Sequence, residues 1–431
     1  MIIFGIVLCS YCCLSIPDKE ETEVESIDLY VNNTTAEIID IRNIPTPSPI
    51  PTYEDTMIPN IGRTSVNDSK PTPTPYPTPY FVWIEYNPPE EKKEEDQFVE
   101  VEEIVSTPTP SPTPIQKEIY NPDKPVNLIV DTDLGSDIDD ACAIRIASSL
   151  AKQGRINLLA CGSCLDGDYA ARAIHGILSY DGLWNVPIGM SRHGVDLEQN
   201  YTDVLVSRYC DYPTYNKVDC VDLYKESIQK CIASGDKLRI VTTGFLINVQ
   251  DLLSDPEGYE LVKQGVDSIW IVGGTYPIVG KDFNFCWGEQ VINSIQFVNM
   301  YCPVPIVYIT NSSGCNYETM MQIWCGGGLM KIDPDKRDPI NAAFREFEES
   351  TNAETFDCGN PCWDGLAVLT ASLPREETQT YIAWTDVDIL NDGTTIFHPS
   401  ENGRNAMLER YNPDLRFYSN WLDELVHYGM R

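Results

Sequence analysis

From Pro125 onward, short runs of β-branched and aliphatic residues alternate with stretches of helical spacing. Val126–Asp133 (VNLIVDTD) reads as a buried strand ending in carboxylates, and Asp139–Gly154 carries apolar positions at helical spacing with a glycine stop. Ile156–Cys164 reads as a second strand, followed by a helix through DYAARAIHGILSYDG, and VPIGM as a third strand. Lys237–Gly244 and Asp267–Gly274 are two more, with NVQDLLSD between them as helix. VPIVYITN (Val304–Asn311) follows another helical segment, and NPDLRFYSNWLDELV reads as an amphipathic closing helix. Strands this continuously apolar, alternating with helices, predict an α/β domain with a mostly parallel central sheet covered by helices on both faces. Ligands bind such sheets outside the carboxyl ends of the strands. That rule picks out Asp131, Asp133, Thr243, Gly244 and Gly273.

The residues ahead of this domain follow another pattern. The first 16 (MIIFGIVLCSYCCLSI) are apolar and uncharged, shorter than a bilayer span and of signal-peptide length. Residues 1–16 are therefore expected to be a signal peptide or a lipoprotein-type N-terminus, with Cys9, Cys12 or Cys13 available for a lipid anchor. Residues 17–124 alternate Thr-Pro tracts with acidic runs such as PPEEKKEEDQFVEVEE. Proline locks φ and removes donors, and such a tract cannot bury enough apolar area to offset its chain entropy. It reads as a disordered polyproline-rich linker, with a short strand or sticky patch at FVWIEY. A long semi-rigid spacer suits crossing a cell envelope, so the expected location is secreted or cell-surface. The domain proper is expected over 125–431.

Charge narrows the partners. The 431 residues carry 65 Asp+Glu against 30 Lys+Arg, a net charge of −35. This excludes a nucleic-acid surface and docking on an anionic leaflet. Of the 15 cysteines, 12 lie between Cys142 and Cys362, with no pair at zinc-ribbon spacing and only 4 His to join them. Their connectivity cannot be read from spacing.

The chemistry concentrates in Asp131-Thr132-Asp133-Leu134-Gly135-Ser136-Asp137-Ile138-Asp139-Asp140, where five carboxylates fall within ten residues. Such a cluster repels itself unless a cation neutralises it, and all-oxygen donors suit a hard divalent ion. A calcium loop of the EF-hand type would need Gly and Glu where Ser136 and Cys142 stand. A phosphatase of the haloacid-dehalogenase kind also opens strand-Asp-x-Asp but continues differently. A plain solvated turn leaves the apolar strand feeding the cluster unexplained.

This segment and four others, in order, resemble the inosine-uridine-preferring nucleoside hydrolase family over about Val126–Arg431. The others are LLACGS with its helix and VPIG (Leu158–Gly189), Gly244-Phe245-Leu246-Ile247-Asn248, IVGG (Ile271–Gly274) followed by Asp282-Phe283-Asn284, and Trp363-Asp364-Gly365-Leu366-Ala367. The resemblance implies calcium-dependent hydrolysis of the N-glycosidic bond of ribonucleosides or a related riboside, and it leaves room for a homo-oligomer. It assigns Asp133 as general base and metal ligand, with Asp140, Asp364 and the backbone carbonyl of Ile247 as further ligands. Asp139 and Asn284 would bind ribose hydroxyls and Asp282 the 5′ end. Asp168 stands in for a ribose-binding Asn, and Asp137, in the two-residue-longer loop, has no counterpart.

Trp363 replaces the His that many members carry, and is expected to stack on a base or fill the core. His175 reads as a core residue and His193 as a stray donor. The alternative function is a surface-displayed protein that holds the metal and binds a sugar without cleaving it. Trp363 and the missing Asn favour that alternative; Asp133, Asp140 and Asp364 favour the hydrolase.

Overall fold

The computed structural model describes residues 2–5, 83–86, 119–210, 218–335, 337–351 and 359–428. The expectations for 1–16 and 17–124 fall almost wholly outside them. Ile2–Gly5 and Trp83–Tyr86 form an antiparallel pair of short strands. The described domain takes in Ile119–Lys124, ahead of the boundary expected at 125. Ile119 is buried, the Tyr120 carbonyl accepts from Arg239, and Asn121 donates to Glu376 at 2.7 Å.

The domain is built on one ten-stranded sheet. Its strands are β1 (Val126–Thr132), β2 (Ile156–Leu165), β3 (Ile188–Val195), β4 (Leu238–Thr242), β5 (Val266–Val272), β6 (Gly280–Lys281), β7 (Ile306–Ile309), β8 (Thr380–Ile389), β9 (Thr394–Pro399) and β10 (Asn405–Arg410). They lie in the order β3-β2-β1-β4-β5-β7-β10-β8-β9-β6. The pairings from β3 to β10 are parallel, and those from β10 to β6 antiparallel. The α/β architecture with a mostly parallel, helix-covered sheet thus holds. The antiparallel strands β8, β9 and β10 were not foreseen.

β1 shows why the strands read as unbroken apolar runs. Leu128 and Val130 point into one core while Ile129 between them points into the other, because side chains alternate faces with a period of two. Burial on both faces then demands an apolar residue at every position.

The helices that frame the site are α1 (Asp139–Lys152), α2 (Tyr169–Tyr180), α3 (Cys220–Ser234), α4 (Ile247–Ser254), α5 (Phe283–Cys286), α6 (Asn311–Gly314), α7 (Trp363–Ser372) and α8 (Leu415–Tyr428). α1 is tied down by a fully buried ion network. Arg145 meets Asp181 at 3.0 Å and Asp338 at 2.9 Å, and donates to the carbonyl of Val426 in α8 at 3.3 Å.

Candidate metal and riboside site

β1 ends in the centre of the sheet, so its terminal carboxylates emerge in the crevice where such sheets bind ligands. The connection to α1 turns at Gly135 (φ 144°), where a Cβ would stand 2.9 Å from Gln199 Cγ. This longer loop is clamped from one side. Asn200 donates to the carbonyl of Ser136 at 2.8 Å and Tyr201 to that of Asp137 at 2.6 Å. Asp139 and Asp140 then occupy the first turn of α1, and Asp364 the first turn of α7. Both helices direct the positive end of their dipole at the same point, which favours carboxylates there.

Asp139, Asp140 and Asp364 come together with ligand oxygens all within 4.8 Å of one another. The backbone N–H of Asp364 donates to Asp139 Oδ2 at 3.4 Å, linking the two helix starts. Asp133 stands beside this trio, hydrogen-bonded to Asp140. All four side chains are buried. Two threonines steady Asp140: Thr132 donates to it, and so does Thr243 at 2.9 Å. Burial drives the protonation range of Asp140 up to about 7 despite these hydroxyls. Burial first, and then the neighbouring carboxylates, raise Asp133, Asp139 and Asp364 well above the usual carboxylate range.

Four desolvated acids facing one another must be neutralised by protons or by a cation. An all-oxygen, buried, pre-gathered donor set fits a hard divalent ion such as calcium. The residues present therefore suit the metal that the sequence resemblance implies.

The turn between β4 and α4 closes against this cluster. Thr243 N–H donates to the Asp131 carbonyl at 2.8 Å, and Ile247 opens α4, buried on the same turn. Gly244 lies so close that a Cβ would meet Asp133 Oδ1 at 2.5 Å and Asp133 N at 2.6 Å. Gly244→Ala is therefore expected to displace the Asp133 carboxylate. Displacing such a donor is expected to weaken divalent-ion binding about 10–100-fold. Calcium titration calorimetry beside a far-ultraviolet circular dichroism spectrum separates this from unfolding. Asp131 itself turns away from the trio. Its Oδ2 accepts from Tyr224 of α3 at 2.5 Å and from Asn248 at 2.8 Å, and burial pushes it up to about 6.

The remaining expected residues fall in different places. Asn284 lies near the ends of β4 and β5, its amide donating to the carbonyls of Thr243 at 2.8 Å and Val272 at 3.2 Å. That use of the N–H₂ group leaves its Oδ1 as an acceptor. Asp282 is taken up locally: its carboxylate caps α5, accepting from Asn284 N at 3.0 Å and from Gly274, and burial raises it to about 6. Trp363 is half-buried against the core, with its indole N–H donated to the Thr310 carbonyl at 3.2 Å. Asp168 occupies the N-cap position of α2, 4.0 Å from Arg172, and has no described contact with the four carboxylates.

The histidines sit elsewhere. His175 lies in α2 beside Ser179, His193 pairs with Asp251 at 2.9 Å, and His398 pairs with Asp388 at 2.9 Å. Asp137, left without a role by the sequence, acts electrostatically on Asp133, Asp139 and Asp140. It accepts from Asn360 at 3.0 Å. Beneath the trio, Cys325 contacts both Cys142 of α1 and Cys362 at the start of α7, all three fully buried. Cys142, Cys325 and Cys362 are free thiols.

No protein-family model matches the chain, and no curated protein matches it in sequence. Its fold does have solved counterparts. A plant nucleoside hydrolase, PpNRh1, superposes with a TM-score of 0.51 at 19% identity, covering 70% of this chain and 99% of that one. The type III effector protein XopQ, complexed with adenosine diphosphate ribose, superposes with a TM-score of 0.50 at 16% identity, covering 72% and 95%. At these identities the likeness establishes a nucleoside-hydrolase-like fold.

Proposed function

We propose that the protein hydrolyses the N-glycosidic bond of ribonucleosides, or of a related N-riboside, to free base and ribose, with calcium held by the buried carboxylates. The observation that carries this reading is the convergence of Asp139, Asp140 and Asp364, from two distant parts of the chain, beside Asp133. Asp140 and Asp364 are the side-chain ligands in this reading, joined by the carbonyl of Ile247 and by Asp133. When bound, calcium would hold and polarise a water and grip the ribose 2′ and 3′ hydroxyls.

Asp133 is the group that would accept the proton of the attacking water. Asp139 and the free Oδ1 of Asn284 accept from ribose hydroxyls and orient the ring. The ensemble of carboxylates stabilises the positive charge that grows on the sugar as the bond to the base breaks. The two structural neighbours tie this fold to ribosyl compounds, one as a nucleoside hydrolase and the other through its bound adenosine diphosphate ribose. The apolar first residues and the Pro/Thr tract support action outside the cytoplasm.

Release of reducing sugar from a panel of nucleosides is the direct test. Ribose is expected with calcium present, to fall by on the order of a hundredfold or more with chelator, and to return on adding calcium back. A second reading has two observations in its favour: the Trp363 indole is committed to Thr310 and the Asp282 carboxylate to its own helix. On that reading the protein binds ribosides in a calcium-dependent way without cleaving them. Binding with no ribose release across the panel would select it.

A further inference from the structure

Departure of a base from ribose leaves an electron pair on a ring nitrogen, and a hydrogen-bond donor near that nitrogen lowers the barrier. Trp363, in the place of the family's His, has its only donor occupied by Thr310. His193 and His398 are exposed and already paired with Asp251 and Asp388, and His427 lies in the last turn of α8.

Another group is in position. After α6 the chain makes a small hairpin, Cys315–Asn316 against Met321–Gln322. Asn316 Oδ1 accepts from the N–H groups of Glu318 at 2.9 Å and Thr319 at 3.1 Å, shaping the turn so that Glu318, Thr319 and Met320 face out. Tyr317 faces the other way. Its hydroxyl is buried with no hydrogen-bond partner, and it feels the charge of Asp282.

At the start of α6, Asn311 presents a second unpartnered buried atom, its Oδ1. Both lead to Asp282, Tyr317 through its charge and Asn311 through Gly274. Asn311 N–H donates to the Gly274 carbonyl at 3.2 Å, and the Gly274 N–H donates to the Asp282 carboxylate. A buried donor and a buried acceptor left unmade each cost about 1–3 kcal/mol, and such a pair beside the segment that carries Asp282 and Asn284 points to a ligand that completes it.

We propose that Tyr317 donates a hydrogen bond to the leaving base, while Asn311 Oδ1 accepts from an N–H of the same base. This rests on the hydrolase reading above and deepens it. The substrate class it selects is a nucleoside whose base carries both a ring acceptor and an N–H donor, as oxopurines do. In the step, the C1′–N bond breaks with its electron pair going to the base nitrogen. Water supplies hydroxyl to C1′ and its proton to Asp133. The base takes up a proton from solvent, so riboside and water become ribose and free base. Tyr317 stabilises the departing nitrogen without giving up its own proton.

Tyr317→Phe, assayed on inosine and on p-nitrophenyl riboside, tests this. The nitrophenolate leaves without help, so the two substrates separate leaving-group assistance from damage to the ribose site. Inosine turnover is expected to fall about a hundredfold while the nitrophenyl riboside changes by less than about threefold. Equal losses on both substrates, or unchanged inosine turnover, would overturn the role of Tyr317 while leaving the hydrolase reading intact. A wild-type protein that cleaves neither substrate would overturn that reading and this inference with it.

Discussion

Asp364→Asn is expected to abolish ribose release, by on the order of 10³ in kcat/KM, and to erase the response of the melting temperature to calcium. A lost ligand removes several kcal/mol of charge stabilisation, and each 1.36 kcal/mol is about tenfold. In the wild type, calcium at about 100 times its Kd adds about 2.7 kcal/mol, which is roughly 4 °C for a domain of this size. The sign in chelator is the sharper outcome. Asp364 is buried against Asp139, Asp140 and Asp133, and each of them raises its proton affinity. Removing one acid from that group relieves repulsion and desolvation when no cation is bound. The variant should therefore melt higher than the wild type in chelator and lower in calcium. Differential scanning fluorimetry in both buffers checks it, and a variant that still gains stability from calcium would remove Asp364 from the ligand set.

Arg145→Ala is expected to cost more stability than any change at the site. Its guanidinium is fully buried between Asp181 and Asp338, which are themselves nearly inaccessible. Truncation leaves two carboxylates without a counter-charge in the core, and breaking a buried pair costs about 3–5 kcal/mol. That lowers the melting temperature by roughly 5–8 °C. Asp338 also caps the helix Pro339–Thr351 through Ile340 N at 2.8 Å, so the damage spreads to that segment. Because α1 carries Asp139 and Asp140 in its first turn, calcium affinity should weaken as well. Arg145→Met combined with Asp181→Asn and Asp338→Asn should recover most of the loss, since neutral groups of similar volume need no counter-charge. Thermal melts of the single and triple variants decide this.

Local features of the chain carried much of the fold. Near-continuous apolar runs such as the one in Val126–Thr132 specify strands buried on both faces, and the helical spacing after Asp139 specifies α1. Together they place Asp133, Asp139 and Asp140 at the carboxyl end of a central strand. The antiparallel strands β8, β9 and β10 were less legible because Thr380–Ile389 is half-exposed and mixes polar with apolar residues, so it shows no buried run.

At the site, the sequence by itself determined which residue types could meet a hard cation, because adjacent acids at a helix start depend only on neighbours along the chain. It could not show which acids meet across it. The closing of Asp364 on Asp139, the committing of the Trp363 indole to Thr310 and the inward face of Tyr317 depend on contacts between segments tens to hundreds of residues apart. Tertiary structure decides those, because hydrogen bonding and burial act through space, and neither leaves a mark on local spacing.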